Sequence, residues 1–381
     1  MNQELKIFFP GKLVFGKGSI DSLMEELLSQ PSSKILIITI EPLLNSLNPI
    51  IESLKNEGHS VLVDTSITQE PSFKDFKTLL DQVSPFNADV VVGIGGGSVL
   101  DIAKLIAALL DSDQSLDEIV GIGLLKGRKK KLICLPATSG TGSEASPNAI
   151  LVDDDNQKKG IISPFLVPDS VYVDPILSLS VPASITAATG LDALTHCLEA
   201  YTNKFSQPFI DMYAYEGMRL IASHLVRAVE NGNDEEARNQ VAMGSLLGGF
   251  CLGPVNTAGV HALSYPLGSM FHLSHGLSNA LLLPFVMEFN IPAAPQRYAD
   301  VASALGCSKE LTTIETAYKG VKKIRELIKA CGIPSRLSEL NIPKEAIPQM
   351  ADDAMKITRL LKNNPRTITM EDAISIYTAA Y

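Results

Sequence analysis

No tryptophan occurs in this 381-residue sequence, and only five cysteines and six histidines do. Cys134, Cys197, Cys251, Cys307 and Cys331 are odd in number, widely spaced and free of any Cys-x-x-Cys pair. That argues against a disulfide framework or a thiolate zinc site and for a reducing compartment. No basic flank followed by an apolar core opens the chain, so no signal peptide is read and a cytoplasmic protein is expected. No uncharged apolar run reaches the roughly 20 residues of a membrane-spanning helix. The longest, near 279–287, contains Pro284 and ends at Glu288. Positive charge is also short: 32 Lys and Arg against 42 Asp and Glu leave a net charge of −10. Such a surface is ill suited to neutralising nucleic-acid phosphates. Neither nucleic acid nor a membrane is an expected partner.

What is present suits a globular chain. Apolar residues at 45% and charged residues at 19% exclude intrinsic disorder. The 27 glycines and 22 prolines are scattered, which excludes collagen-like and low-complexity readings. Short β-rich runs at 35–39, 60–64, 89–94, 131–136 and 170–175 alternate with amphipathic stretches such as 73–83 and 99–110. Continuous apolar strands alternating with helices predict a parallel sheet covered on both faces. After Pro182 the pattern turns helical, over 187–201, 209–230, 234–252, 260–271, 277–290 and 313–330. Two domains are therefore expected: an α/β domain over 1–182 and an all-helical domain over 183–381.

Two glycine-rich segments follow predicted strands. Gly93-Ile94-Gly95-Gly96-Gly97-Ser98 lies between the 89–92 run and a predicted helix. Glycines let backbone approach a phosphate, and free N–H groups at a helix start attract an anion. The pattern is neither Gly-x-Gly-x-x-Gly, since position 98 is Ser, nor a Walker loop. Pro136 to Glu144 carries small hydroxyl residues and two glycines after another strand. Two such loops at carboxyl ends of parallel strands favour a bound dinucleotide over two ordinary turns.

Asp192 and His196 stand four residues apart on a predicted helix and so share one face. His261, His272 and His275 follow in an apolar region. One carboxylate with three imidazoles suits Fe(II) or Zn(II) better than Ca or Mg, which prefer oxygen shells. Each residue has a bland alternative: a lone His is more often a satisfied core or surface group, and Asp192 could cap a helix. Spacing alone does not choose between His272 and His275.

Taken together, the motifs resemble the iron-containing (group III) alcohol dehydrogenase family across essentially the whole chain. They are Phe9-Pro10-Gly11-Lys12-Leu13-Val14-Phe15-Gly16-Lys17-Gly18, Gly95-Gly96-Gly97-Ser98-x-x-Asp101-x-x-Lys104 and Gly140-Thr141-Gly142-Ser143-Glu144. Thr189-Gly190-x-Asp192-Ala193-Leu194-Thr195-His196-x-x-Glu199-Ala200-Tyr201, His261-Ala262, His275-Gly276, Asn364-Pro365-Arg366 and Glu371-Asp372 complete the set. The resemblance implies a Rossmann-like dinucleotide-binding domain and a helical domain, with NAD or NADP and a divalent metal, Fe(II) or Zn(II), in the cleft. It assigns the metal to Asp192, His196, His261 and His275, and thereby sets His272 aside. It aligns Gly96, Gly97 and Ser98 with the pyrophosphate loop, and Asp101, Thr138, Thr141, Ser146, Lys158 and Leu177 with positions lining the cofactor.

Three departures stand out. Tyr265 occupies a position where many members carry another His, Ile40 stands where Asp or Gly often bears on NAD versus NADP choice, and Ala137 replaces a usual Thr. The expected activity is reversible hydride transfer between NAD(P) and a small alcohol and its aldehyde or ketone, with the metal polarising the substrate oxygen. Tyr265 is a candidate proton-transfer residue, with a buried packing aromatic as its alternative. Rival readings are a dehydroquinate synthase-like lyase, which needs more basic residues than Lys204, Arg219, Arg227 and Arg238 supply between 183 and 290, and a catalytically inactive nucleotide-binding relative. A homodimer or higher homo-oligomer is expected.

Overall fold

The structure, a computed structural model, describes residues 4–155 and 157–381. Residues 1–3, which open the stretch read for a signal peptide, lie outside the described residues. The chain divides into two compact units. One comprises the chain up to Thr138 with Gly142–Ser178, and the other comprises Ser139–Thr141 with Leu179–Tyr381. The three-residue excursion into the second unit is absent from the sequence-based division at 182/183.

The first unit runs β1 (Lys12–Phe15), α1 (Ser19–Leu28), β2 (Lys34–Ile38), α2 (Leu44–Asn56), β3 (Ser60–Asp64), α3 (Phe73–Val83), β4 (Val90–Gly95) and α4 (Gly97–Leu109). It continues with β5 (Gly121–Ile122), β6 (Lys131–Pro136), β7 (Asn148–Val152), β8 (Lys158–Ile162) and β9 (Ser170–Val173). Six strands form a wholly parallel sheet in the order β1-β9-β6-β4-β2-β3. Side chains alternate faces along a strand, so β2 sends Ile35 and Ile37 into one apolar cluster and Leu36 and Ile38 into the other. Both faces are thus covered, and β-branched residues dominate the central strands for that reason.

A second, three-stranded sheet, β5-β8-β7, was not expected from the sequence. Its β7–β8 pair is antiparallel and half-exposed, with a lysine pair opening β8 and only the short run Ala149–Val152 apolar in β7, so it is weakly marked beside the central strands. Strand β1, short and largely exposed at a sheet edge, escaped for the same reason.

The second unit is helical: α5 (Ala183–Thr202), α6 (Pro208–Glu230), α7 (Glu235–Leu252), α8 (Gly259–Phe271), α9 (His275–Asn290), α10 (Pro295–Ala304), α11 (Thr313–Ala330), α12 (Ile347–Met355), α13 (Thr358–Leu361) and α14 (Met370–Ala380). Its longest elements pack as neighbours, α5 against α6, α7 and α9. Thr312 and Glu315 close a capping box at the start of α11, as Thr369 and Asp372 do for α14.

In the first unit, α4 lies directly on β4. A Cβ at Gly93 would stand 2.7 Å from the Ala103 Cβ, and one at Gly95 2.8 Å from the Val99 Cβ. Two glycines of the Gly-rich segment therefore serve helix–strand contact. Gly93→Val is expected to cost about 1–3 kcal/mol by overpacking, read as a lower urea midpoint. An unchanged midpoint would show that α4 can retreat from the sheet without loss.

Candidate metal centre and glycine-rich turn

The main sheet reverses its strand order between β2 and β4: the chain runs outward from β2 to β3, then returns to β4 and β6. Ligands of open α/β sheets bind at the carboxyl ends of strands flanking such a reversal. There Thr39 donates its hydroxyl to Ile94 O at 2.8 Å, pinning the two strand ends together. Ile40, next in the chain, packs half-buried against the apolar clusters of both sheet faces. Gly96 is the N-cap of α4, with extended backbone and no side chain capping the helix. Gly97 and Ser98 form its first turn. A helix start in that state is suited to an anion. Thr138 stands beside it, its Oγ1 3.4 Å from where a Gly96 Cβ would lie.

Other residues aligned with the cofactor have partners within the first unit. The Asp101 carboxylate accepts the Ser143 hydroxyl at 2.5 Å and the Ile150 N–H at 2.9 Å. Lys104, fully buried, donates to Ser143 Oγ, Ser146 O and Asn148 O at 2.8–2.9 Å. Burial pushes Asp101 up and Lys104 down, and their mutual attraction opposes both shifts. Burial also pushes the Glu144 carboxyl up to about 7. Together these groups stake the segment after β6 to α4. Lys158 pairs with Glu70 at 2.5 Å, and Leu177 lies in the apolar cluster under the sheet. Thr141 belongs to the other unit.

In the helical unit, α5 carries Asp192, His196 and Glu199 at spacings of four and three, a single helical face, and Asn203 follows as its C-cap. Helix α8 opens with His261 in its first turn, and α9 begins at His275. Gly276 lets α9 reach α5: a Cβ there would come within 2.2 Å of Ala188 O. Asp192, His196, His261 and His275 each offer a donor atom, all within 4.8 Å of one another. From Asp192 Oδ1, the Nε2 atoms of His196, His261 and His275 lie at 3.9, 3.6 and 3.7 Å. Donors bound about 2.1 Å from a tetrahedral ion stand roughly 3.4 Å apart, so this spacing suits groups sharing a cation.

The supporting contacts point the same way. Glu199 Oε2 accepts a hydrogen bond from His261 Nδ1 at 2.6 Å, so that Nε2, which faces Asp192, is the nitrogen left for an ion. His196 Nδ1 faces Gly140 O at 3.3 Å, freeing its own Nε2 likewise. Such carbonyl and carboxylate partners fix the tautomer of metal-ligating imidazoles. Burial pushes the Asp192 carboxyl up, but the imidazoles of His196, His275 and His261 hold it well below the usual range. Burial lowers His261 also, yet Glu199 and Asp192 together raise it to about 9. Two buried carboxylates thus create a strong demand for positive charge. Asn279 donates to Asp192 Oδ1 at 2.7 Å and leaves its own buried Oδ1 without a hydrogen-bond partner. The donor set fits a divalent cation with nitrogen and oxygen preference.

His272 lies outside the cluster, exposed and in left-handed backbone (φ 56°) as the C-cap of α8. Tyr265, one turn beyond His261, is half-buried, its ring centroid 6.0 Å from that of His275. Glu199, Asn279 and Gly140 were not singled out as contacts of the centre by sequence reasoning. Glu199 could have been, since it shares the α5 face of Asp192 and His196; the backbone carbonyl of Gly140 leaves no side-chain signal.

Comparison with known proteins adds a frame. Residues 10–175 match the family model described as iron-containing alcohol dehydrogenase, and 186–381 that of the Fe-containing alcohol dehydrogenase family, C-terminal. A long-chain-alcohol dehydrogenase of Geobacillus thermodenitrificans is 37% identical, the alignment covering 99% of this chain and 96% of that protein. A crystal structure of 1,3-propanediol oxidoreductase superposes with a TM-score of 0.93 at 30% identity, covering all of both chains. That of sulfoacetaldehyde reductase from Bifidobacterium kashiwanohense, in complex with NAD+, does so with a TM-score of 0.88 at 26% identity over 99% of each.

Glu199→Gln keeps side-chain volume but cannot accept the His261 proton on the nitrogen it introduces. Zn(II) affinity, measured by chelator competition, is expected to fall about 10–100-fold. Wild-type affinity in this variant would show that His261 needs no such partner.

Proposed function

The chain belongs to the iron-containing alcohol dehydrogenase family and is a metal-dependent oxidoreductase; from that premise we propose that it interconverts neutral alcohols and their aldehydes with NAD or NADP. Asp192, His196, His261 and His275 would hold Fe(II) or Zn(II), and the turn of Gly96, Gly97 and Ser98 would hold the pyrophosphate. The observation that carries this reading is the convergence of one carboxylate and three imidazoles from three helices. Once bound, the ion supplies Lewis acidity toward the substrate oxygen, and the nicotinamide supplies or accepts the hydride.

The chain's own residues do the rest. Asp192 and the three imidazoles contribute donors on a buried floor, with Asp192, His196 and His261 side chains only 3–6% exposed. His275, at 28%, is the open edge. Tyr265 stands on that edge, and its phenol oxygen is the proposed station for the proton leaving or joining the substrate oxygen. Glu199 retains the proton at His261 Nδ1 throughout, so that His261 never presents the wrong nitrogen.

Charge distribution supports a neutral substrate. In the helical unit, Arg219 pairs with Glu216, Arg227 with Asp234 and Glu236, and Arg297 with Asp211. Arg238 is buried against Thr186 Oγ1 and backbone carbonyls. These guanidiniums are already engaged by partners in the protein, which disfavours a sulfonated or phosphorylated aldehyde and the acidic substrate of a dehydroquinate synthase-like lyase.

The test is an anaerobic assay after Fe(II) or Zn(II) loading, with NADH and NADPH in parallel. Short and long aliphatic aldehydes are expected to be reduced and anionic aldehydes to be poor substrates; the opposite ranking would sink the neutral-substrate reading. Asp192→Ala is expected to lose both bound metal and turnover. Tyr265→Phe should keep its metal and lose about 10²-fold or more in kcat if the phenol moves the proton. Undiminished kcat would reduce Tyr265 to packing.

A further inference from the structure

Between α7 and α8 the chain runs without regular structure, and its peptide groups must find partners elsewhere. They find buried side chains. Asn203 Nδ2, just past the end of α5, donates to Val255 O at 2.9 Å and Asn256 O at 3.1 Å. Asn363 Nδ2 donates to Thr257 O at 2.8 Å. Glu199 accepts the Ala258 N–H at 2.9 Å and the Val260 N–H at 2.6 Å, besides the His261 imidazole. Asn364 Oδ1 lies against the following residue so closely that a Cβ at Gly259 would sit 2.6 Å from it. From 255 to 261, then, the segment delivering His261 is gripped by four side chains, each at most 5% exposed.

Two of the four come from one short turn, Asn363-Asn364-Pro365-Arg366, more than a hundred residues away in sequence. That turn also reaches the other ligand-bearing helices. The Asn363 carbonyl accepts Lys204 N–H at 2.9 Å, just beyond α5, the helix of Asp192 and His196. Asn364 and Asn290 exchange amide hydrogen bonds of 2.7 and 2.9 Å, and Asn290 ends α9, the helix that starts at His275. Arg366 donates to Phe289 O at 3.0 Å and lies 4.0 Å over the Phe289 ring. Asn364 Nδ2 also donates to Arg366 O, which fixes the turn itself.

We infer that the Asn363–Arg366 turn is a positioning element of the metal centre, joining α5, α8 and α9 so that their donors converge. The inference rests on the proposed ligand set, because without a metal at His261 the turn would be structural only. Asn363 and Asn364 touch neither metal nor substrate; they act through the 255–260 segment and through Asn290. Donor placement within about half an ångström decides whether a site binds well, so loosening this turn should show in metal affinity before it shows in folding.

The experiment compares Asn363→Ala, Asn364→Ala and a control, Leu327→Ala, which empties a core position on α11 remote in sequence from the turn and its partners. Each full-length protein is titrated with Co(II), followed by its d–d absorption, and with Zn(II) by chelator competition, alongside a thermal melt. The turn variants are expected to bind both ions about tenfold more weakly or worse, with an altered Co(II) band, while the control melts lower yet binds normally. Asn363→Ser, which retains a short donor, should recover part of the affinity. If the wild type binds and both turn variants bind equally well with an unchanged band, the inference is overturned. If the wild type binds no metal, the ligand assignment itself has failed, which is a distinguishable result. Should the alanine variants fail to fold, hydrogen exchange of the wild type decides: a slow Lys204 amide, held by the Asn363 carbonyl, supports the grip, and a fast one overturns it.

Discussion

Glu199 sits where three demands meet. It is a carboxylate buried beneath α8, it answers two N–H groups at that helix's start, and it holds the proton of His261. A helix N-terminus favours an anion, so the site for the negative charge is made by the same fold that needs it. Glu199 would be costly to bury without those donors, and His261 would be free to offer either nitrogen. Much of the helical unit follows from keeping this contact intact. Helix α5 must run beside the start of α8, the segment before α8 must be held in one path, and α9 must come close enough to supply His275.

The same economy governs the first unit, by different means. There the working surface is backbone, and the side chains nearby are occupied in keeping it still. Asp101, Lys104 and Ser143 form a buried polar knot that ties the segment after β6 to α4. Such a knot is stable because every charge in it has partners. The uncapped start of α4 stays available because its neighbours are already satisfied.

Legibility in the sequence tracked the kind of force involved. The central strands β2, β4 and β6 announce themselves by continuous apolar runs, because burial on both faces leaves little place for polar residues. The long helices of the second unit were equally plain. By contrast β7 and β8 pair through half-exposed residues, and β1 sits at an edge, so no long buried run marks them. At the site, Asp192 and His196 could be read from a spacing of four, but the choice between His272 and His275 could not. Those two histidines stand three positions apart, and the structure puts His272 exposed in a left-handed turn and His275 at the start of α9. The family resemblance resolved a choice that local periodicity had no means to make. Asp101, too, aligned with the cofactor, while its carboxylate oxygens are hydrogen-bonded to Ser143 and Ile150.

Residues 139–141 belong to the helical unit although the chain around them belongs to the sheet. Gly140 is the one that faces His196. The gene therefore cannot be divided at one point into two self-sufficient halves: a fragment starting at Leu179 would inherit all four donor residues but leave behind the carbonyl that sets the tautomer of one of them. Exchange of halves between relatives preserves that partnership only when the three-residue loop travels with the recipient's own helices or is reproduced by the donor. In this chain the boundary between units is a matter of inheritance as much as of folding.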